Sequence, residues 1–274
     1  MLRFKLVLLW GVILGSAVTA SPLRIVSLAP AITEILATLN VTGQIVGVSS
    51  DCDYPETIKG LPKVGAFLQP SLERIASLSP TLVLGMGQPD SPGFRQLQHN
   101  GTRVVLFHTP DKIIDIYNII RQIGALTNRK ERAGDVIRSL KDQVILMDQN
   151  RPTISPAVMV VIWHPPITVA AANTFIGDMV KRAGGNNVIG AGYIRYPHIE
   201  RELMMYKNPT VIIVTDQAAA DAIRKDVMFQ LTPAARRGFI VSNISPDLLL
   251  RPGPRFPIAM RQLQAVFTAS VPHE

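Results

Sequence analysis

Two segments far apart in this chain share one pattern, and the pattern restricts the fold to a repeated helix-then-strand unit. In the first, Glu73 opens a short amphipathic helix that ends before Pro80-Thr81 and an apolar β run. In the second, Glu202 stands at the same place, seven residues before Pro209-Thr210 and another apolar β run. Self-similarity over a whole supersecondary unit is typical of a chain built from two similar lobes.

Each copy also carries an aromatic residue six positions before its glutamate, Phe67 in one and Tyr196 in the other. A glutamate in the first turn of a helix is favoured by the helix dipole, so each glutamate alone is also explained as a helix-start residue. The shared spacing of three features instead predicts two lobes that face a partner or ligand together.

The first twenty residues have the pattern of a secretory signal peptide. Arg3 and Lys5 precede an apolar run from Leu6 to Leu14, and small residues then lead to Ala20 before Ser21-Pro22. The apolar run is shorter than the ~20 residues that a membrane-spanning helix needs, although an uncleaved anchor is the alternative. We therefore expect cleavage after Ala20 and a periplasmic location.

The charge and the cysteine content restrict the partners of this chain and the way it is stabilised. The formal net charge is +8, but the lysines and arginines are scattered and no basic stripe is interleaved with aromatics. Together with export, this argues against a nucleic-acid partner. Cys52 is the only cysteine, so the chain has no internal disulfide and must be stabilised by its apolar core.

Short β runs alternate with amphipathic helical runs on both sides of one long helical run, residues 129–149. This order predicts an α/β fold of two Rossmann-like lobes, each with a central β-sheet. The predicted organisation is a signal peptide at 1–20, an N-terminal lobe at 21–128, an inter-lobe helix at 129–150 and a C-terminal lobe at 151–274. We also expect Asp111 to cap the helix that ends at Leu126, and a helix near 222–230.

Sequence motifs of catalysis are missing. The sequence contains no nucleophile elbow, phosphate loop or dinucleotide glycine fingerprint. Its five histidines do not pair at zinc-ligand spacing, and its carboxylates do not pair for acid–base work. We therefore predict no enzyme activity, no catalytic residue, no metal site and no cofactor.

The loops at the carboxyl ends of the predicted strands are the expected ligand site, since open α/β sheets bind ligands there. Aromatic rings present large rigid faces to bulky ligands at little entropic cost. The alternative is that these aromatics only seal the core. The candidate residues in these loops are Tyr54, Phe67, Trp163, His164, Tyr196 and Arg255.

A series of short motifs occurs in one order along nearly the whole mature chain. They are Arg24-Ile25-Val26-Ser27-Leu28-Ala29-Pro30, Thr33-Glu34, Gly47-Val48, Asp53-Tyr54-Pro55, Lys63-Val64-Gly65, Leu72-Glu73, Thr174-Phe175-Ile176, Ala183-Gly184-Gly185-Asn186-Asn187-Val188 and Arg251-Pro252-Gly253-Pro254-Arg255. In this order they resemble the periplasmic binding proteins of ABC importers for cobalamin, ferric siderophores and haem. The Asp-Tyr-Pro and Lys-Val-Gly motifs favour the cobalamin-binding branch of this family.

The resemblance implies a class III periplasmic binding protein, with two lobes joined by one rigid long helix and ligand held between them. By position, Glu73 and Glu202 match the two carboxylates that dock onto arginines of a dimeric membrane permease. Such exposed charge pairs add little affinity but fix orientation. We expect a monomer that meets this permease in the inner membrane.

The resemblance also assigns the pocket and leaves its ligand open. Tyr54, Phe67 and Tyr196 match pocket aromatics of the cobalamin binder, and Trp163 and Arg255 fall near its pocket. Phe67 and Tyr196 replace larger indoles, so a ferric siderophore or haem is an alternative ligand, and Arg255 would suit an anionic one. A haem would need an axial ligand, for which Tyr54, Tyr196, His164 and His198 are candidates. An exported enzyme, or a sensor or scaffold protein on the same fold, is the remaining alternative.

Overall fold

The computed structural model describes residues 22–88 and 90–271. The predicted signal peptide, residues 1–20, lies outside these ranges. The strands are β1 (Ile25–Ser27), β2 (Ile45–Val48), β3 (Gly65–Ala66), β4 (Gln69–Pro70), β5 (Leu82–Met86), β6 (Arg103–Phe107), β7 (Ala157–Trp163), β8 (Thr168–Val169), β9 (Asn186–Asn187), β10 (Val211–Val214) and β11 (Ile240–Val241).

Helices connect nearly all of these strands. They are α1 (Pro30–Thr38), α2 (Leu72–Ser77), α3 (Pro92–His99), α4 (Ile113–Leu126), α5 (Lys130–Gln149), α6 (Phe175–Arg182), α7 (Arg201–Lys207), α8 (Gln217–Lys225), α9 (Pro233–Arg236), α10 (Pro246–Leu250) and α11 (Phe256–Ser270). None of the helices in the described ranges is both long and apolar enough to span a bilayer.

Two separate sheets lie on either side of α5 in the sequence. The first has the strand order β2-β1-β5-β6 and is parallel throughout. The second has the order β11-β10-β7-β8, with β9 also paired to β7. Its β8 runs antiparallel to β7. The predicted α/β architecture of two lobes joined by one long helix is confirmed, and we name the parts around each sheet the first and second lobes.

One apolar core, which we name the shared core, runs between the two sheets. It contains Ile25 of the first sheet and Val158 of the second, together with buried side chains of α4, α5, α6 and α11. An apolar stripe on α5 faces it, with Val136 and Leu140 among the buried members. One further apolar cluster covers the outer face of each sheet. Strands buried on both faces explain why their sequences are almost continuously apolar.

The Pro-Thr part of the sequence repeat has a structural role in both lobes. Beyond α2 and α7, Ser79 and Asn208 take left-handed φ angles of 45° and 48°. That conformation ends a helix, and the following proline prevents its continuation. The chain therefore turns into β5 and β10 in the same way.

The repeated threonines bind the neighbouring strand of each sheet. Thr81 Oγ1 accepts a hydrogen bond of 2.9 Å from the Arg24 amide, just before β1. Thr210 Oγ1 accepts one of 2.9 Å from the Ala157 amide at the start of β7. The proline and threonine of the repeat are thus explained by the fold, and the two glutamates are not.

Two local expectations are wrong. Helix α4 is capped at Lys112, whose amide donates to the Asp115 carboxylate at 3.0 Å, and Asp111 instead forms an ion pair with Arg195. The helix expected near 222–230 is α8, which begins earlier at Gln217. Asp216 caps it by accepting a 2.7 Å hydrogen bond from the Ala219 amide.

Candidate functional site

The predicted pocket aromatics lie in loops or at strand ends. Tyr54 follows β2, Phe67 is in the turn between β3 and β4, Trp163 ends β7, and Tyr196 precedes α7. Tyr54, Trp163 and Tyr196 expose 46%, 64% and 40% of their surface, so they are not sealing the core. No stacking or hydrogen bond joins these four side chains to one another in the described part of the chain.

Arg255 is the predicted site residue whose surroundings are most fully defined. Its Nε and Nη2 donate to Glu34 Oε2 at 3.0 Å and to Glu34 Oε1 at 2.5 Å. Its guanidinium carbon lies 4.1 Å from the centre of the Tyr54 ring. Glu34 is only 2% exposed. A charge buried this deeply is tolerated because it is paired and hydrogen-bonded at both oxygens.

A second arginine extends this cluster. Arg251 donates to the Asp53 carboxylate at 2.5 and 3.2 Å and pairs with Asp247 at 2.9 Å. Its nearest approach to Glu34 is 3.8 Å. Two guanidinium groups thus face three carboxylates, and we name Glu34, Asp53, Asp247, Arg251 and Arg255 the ion cluster.

The surroundings shift the pKa values of two carboxylates of the ion cluster in opposite directions. Burial raises the pKa of Glu34, and the hydrogen bond from Arg255 only partly opposes this. Hydrogen bonding from Arg251 holds the pKa of Asp53 below its usual range. Since every guanidinium already faces a carboxylate, the cluster carries no surplus positive charge.

Sequence reasoning selected Arg255 but did not select the other four members of the ion cluster. The signal was present, because Glu34, Asp53 and Arg251 all lie in the short motifs that carry the family resemblance. What the motifs do not reveal is that residues 198 and 221 positions apart form these pairs.

The backbone of Phe67 is held at both of its polar groups. Its amide donates to Asp51 Oδ2 at 2.6 Å, and its carbonyl accepts from Gln88 Nε2 at 2.7 Å. Gly65 begins this turn with φ +103°, where a Cβ would lie 2.8 Å from backbone atoms. Phe67 itself is half-buried and packs against the shared core. The turn is therefore rigid before any ligand arrives.

In the second lobe, hydrogen bonds hold the side chains of Trp163 and His198. Trp163 Nε1 donates to the Pro165 carbonyl at 3.0 Å, which satisfies the indole N–H and leaves the ring faces open. His198, near Tyr196, forms a 2.8 Å hydrogen bond between its Nδ1 and Thr168 Oγ1. Burial raises the pKa of Tyr196. His164 is half-buried and follows Trp163 directly.

Glu73 and Glu202 occupy matching places on the surface. Each is the second residue of a short helix, α2 or α7, and each side chain is exposed. Within residues 22–88 and 90–271, neither forms an ion pair. The carboxylates are therefore available to a partner.

Over the same described ranges, no cluster of three or more histidine, cysteine, aspartate or glutamate side chains could hold a metal ion.

A family model and two related proteins match most of this chain. A family model described as "Periplasmic binding protein" matches residues 25–243. The chain is 28% identical to an uncharacterized ABC transporter substrate-binding lipoprotein, YvrC of Bacillus subtilis, over 85% of this chain and 76% of the relative. It is 26% identical to the vitamin B12-binding protein of Pectobacterium carotovorum, over 96% of this chain and 95% of the relative.

Solved structures show the same architecture. The apo form of the periplasmic heme-binding protein RhuT from Roseiflexus sp. RS-1 superposes with a TM-score of 0.82 and 28% sequence identity. The superposition covers 90% of this chain and 98% of RhuT.

Proposed function

This chain belongs to the family of periplasmic binding proteins, the solute-binding components of ABC importers, and we propose that its ligand is a cobalamin-like molecule held between the two lobes. The observation that carries the ligand class is the set of exposed aromatic rings on preformed loops. Tyr54 lies against Arg255, and Trp163 is held by the Pro165 carbonyl, which reduces the ordering cost of binding for these two rings. Tyr196 adds a third exposed ring.

The charge of the ion cluster supports a neutral, amide-rich ligand over an anionic one. Arg251 and Arg255 are both occupied by carboxylates. A corrin ring presents mainly neutral amides, whereas haem carries two carboxylates that need cationic partners. The similarity to a vitamin B12-binding protein over almost the full length points the same way.

Haem is the second candidate, and the similarity to RhuT favours it. It would require one axial ligand from Tyr54, Tyr196, His164 or His198. Of these, His198 would have to use Nε2, because its Nδ1 bonds to Thr168. A ferric siderophore stays the third candidate in the same transport class.

The proposed partner is a dimeric permease of the inner membrane that contacts Glu73 and Glu202. Their exposure and their lack of ion pairs in the described part of the chain support this role. We further propose that the protein acts as a periplasmic monomer, without catalysis and without a resident cofactor. This fits relatives that are named for transport and binding.

Parallel calorimetric titrations test the ligand assignment. The chain from Ser21 to Glu274 is titrated with cyanocobalamin, haemin and ferrichrome under identical conditions. Submicromolar binding of cyanocobalamin alone is the expected result. Tight binding of haemin or ferrichrome instead would keep the transport role and replace the ligand. Binding of none would favour an enzyme or a sensor protein on this fold.

A further inference from the structure

The exposed faces of α2 and α7 differ in character although the two helices are copies of one repeat. In a helix with 3.6 residues per turn, positions i, i+1 and i+4 lie on one side. On α7 these positions hold Glu202, Leu203 and Tyr206. Leu203 and Tyr206 are 39% and 82% exposed. The Tyr206 ring is therefore exposed to solvent beside Glu202, which forms no ion pair within the described ranges.

The matching positions on α2 are polar. Glu73 is accompanied there by Arg74 and Ser77, which are both exposed. The two helices are followed by the same arrangement of the chain, namely a residue with a left-handed φ, then proline and threonine. The apolar pair on α7 is therefore not explained by the helix-to-strand unit that it shares with α2.

Exposed apolar residues also lie in the segment after α8, which includes a 3₁₀ turn packed against α7. Val227 and Leu231 are 74% and 53% exposed. Arg201, the first residue of α7, pairs at 3.4 Å with Asp226, the residue before Val227. Leu231 ends this 3₁₀ turn. We name Leu203, Tyr206, Val227 and Leu231 the apolar patch.

We propose that the apolar patch, together with Glu202, is the main anchor of this chain on its permease, and that the contact made by α2 is secondary. This inference rests on the proposed transport function. Buried aromatic side chains at the centre of an interface dominate binding, whereas exposed charge pairs contribute little. The permease surface it fits carries an arginine surrounded by apolar side chains.

The charge of Glu202 disfavours the two other occupants of such a patch. A symmetric contact between two copies of this chain would bring the two Glu202 carboxylates toward one another. A membrane surface rich in anionic lipid would repel the same carboxylate. A protein surface with a basic group satisfies both the charge and the apolar side chains.

A swap between the two helices tests the anchor. The variant Leu203→Arg with Tyr206→Ser gives α7 the side chains of α2, and Tyr206→Ala is a milder version. The matched control is Arg74→Ala with Ser77→Ala on α2. The binding of each chain to its own permease–ATPase complex in lipid nanodiscs is measured, with empty nanodiscs as a second probe. Thermal unfolding and ligand affinity are measured for every variant, because exposed substitutions should leave both unchanged.

The α7 swap should weaken binding to the complex at least tenfold, Tyr206→Ala about tenfold, and the α2 control less than threefold. Equal weakening by the α7 and α2 variants, or none by either, would reject the anchor while leaving the transport role intact. Binding to empty nanodiscs, or dimerisation lost in the α7 swap, would also reject it. Failure of the unmodified chain to bind the complex would reject the transport role as well.

Discussion

Arg255 and Glu34 stand 221 positions apart in the chain and form a two-point ion pair, with N–O distances of 3.0 and 2.5 Å. The pair joins the first residue before the last helix to the middle of the first helix. The same guanidinium lies over the ring of Tyr54. One contact thus connects the second lobe to a candidate ligand-binding residue of the first.

Glu34→Gln should lower the free energy of unfolding by about 3 kcal/mol, because it leaves the half-buried Arg255 without its compensating charge. Urea unfolding at pH 7 measures the loss. The matched control is Glu56→Gln, since Glu56 also pairs with a cation, Lys59, but on the open surface. A loss no larger than that of the control would contradict a structural role for the buried pair.

The pair of Asp53 and Arg251 should contribute stability only above the acidic range. Arg251 lowers the pKa of Asp53 in the folded state, whereas an unfolded aspartate titrates at about 3.9. The stabilisation is therefore complete above that value and is lost as the pH falls through the folded pKa. Asp53→Asn should cost less than about 1 kcal/mol at pH 7, because the Asp53 side chain is 52% exposed.

Denaturant unfolding of wild type and Asp53→Asn from pH 7 to pH 2 checks this sign. The two curves of unfolding free energy against pH should converge at the acidic end. A difference that stays constant over the whole range would show that the charge of Asp53 is not its source.

The double variant Glu73→Ala with Glu202→Ala should abolish ligand uptake by cells and leave the calorimetric affinity for ligand unchanged. Both side chains are exposed and neither takes part in an ion pair in the described ranges, so only a partner should sense their loss. Glu131→Ala is the matched control, since Glu131 is also an exposed acidic residue in the first turn of a helix. Normal uptake by the double variant would remove these residues from the docking assignment.

Trp163→Ala should weaken ligand binding about tenfold, whereas Trp163→Phe, which keeps an aromatic face, should weaken it less than threefold. Tyr193→Ala is the control, because Tyr193 is fully exposed in the same lobe and was not assigned to the pocket. Calorimetry with cyanocobalamin gives the affinities. Equal effects of the Trp163→Ala and Tyr193→Ala variants would contradict stacking on Trp163.

The emission of Trp163 gives an independent measurement. The chain from Ser21 onward contains no other tryptophan, since Trp10 lies in the predicted signal peptide. Ligand that covers the exposed indole should shift its emission toward shorter wavelength. Unchanged emission at saturating ligand would place the ligand away from this side chain.

The α/β architecture was predictable because its signals are local. Strands buried on both faces leave continuous apolar runs, as at Val211–Val214, and the shared core leaves a stripe of period 3.6 on α5. Both patterns act over a few residues. The start of α8 was misplaced because its buried face begins with the small side chains of Ala219 and Ala220, which are a weaker apolar signal than Ile223.

The ion cluster was not predictable, because its pairing depends on the packing of α1 against the loop before α11. A sequence shows that Glu34 and Arg255 carry opposite charges, but many such pairs exist along the chain. Only the folded structure shows that Glu34 is buried and that Arg255 is its partner. The position of each candidate aromatic could be read from the strand ends, while its support by Asp51, Gln88 or Arg255 could not.

The shared core has a consequence for how this chain is made. Helix α11 places Phe256, Met260, Leu263 and Phe267 in the core that lies between the two sheets. A chain whose synthesis stops before Phe256 lacks these four side chains, so the surfaces of α5 and α6 that α11 contacts stay exposed. Exposed apolar surface of this kind makes a chain prone to aggregation and to capture by chaperones. Loss of the last fifteen-residue helix should therefore weaken the packing of both lobes, although it removes none of the candidate aromatics.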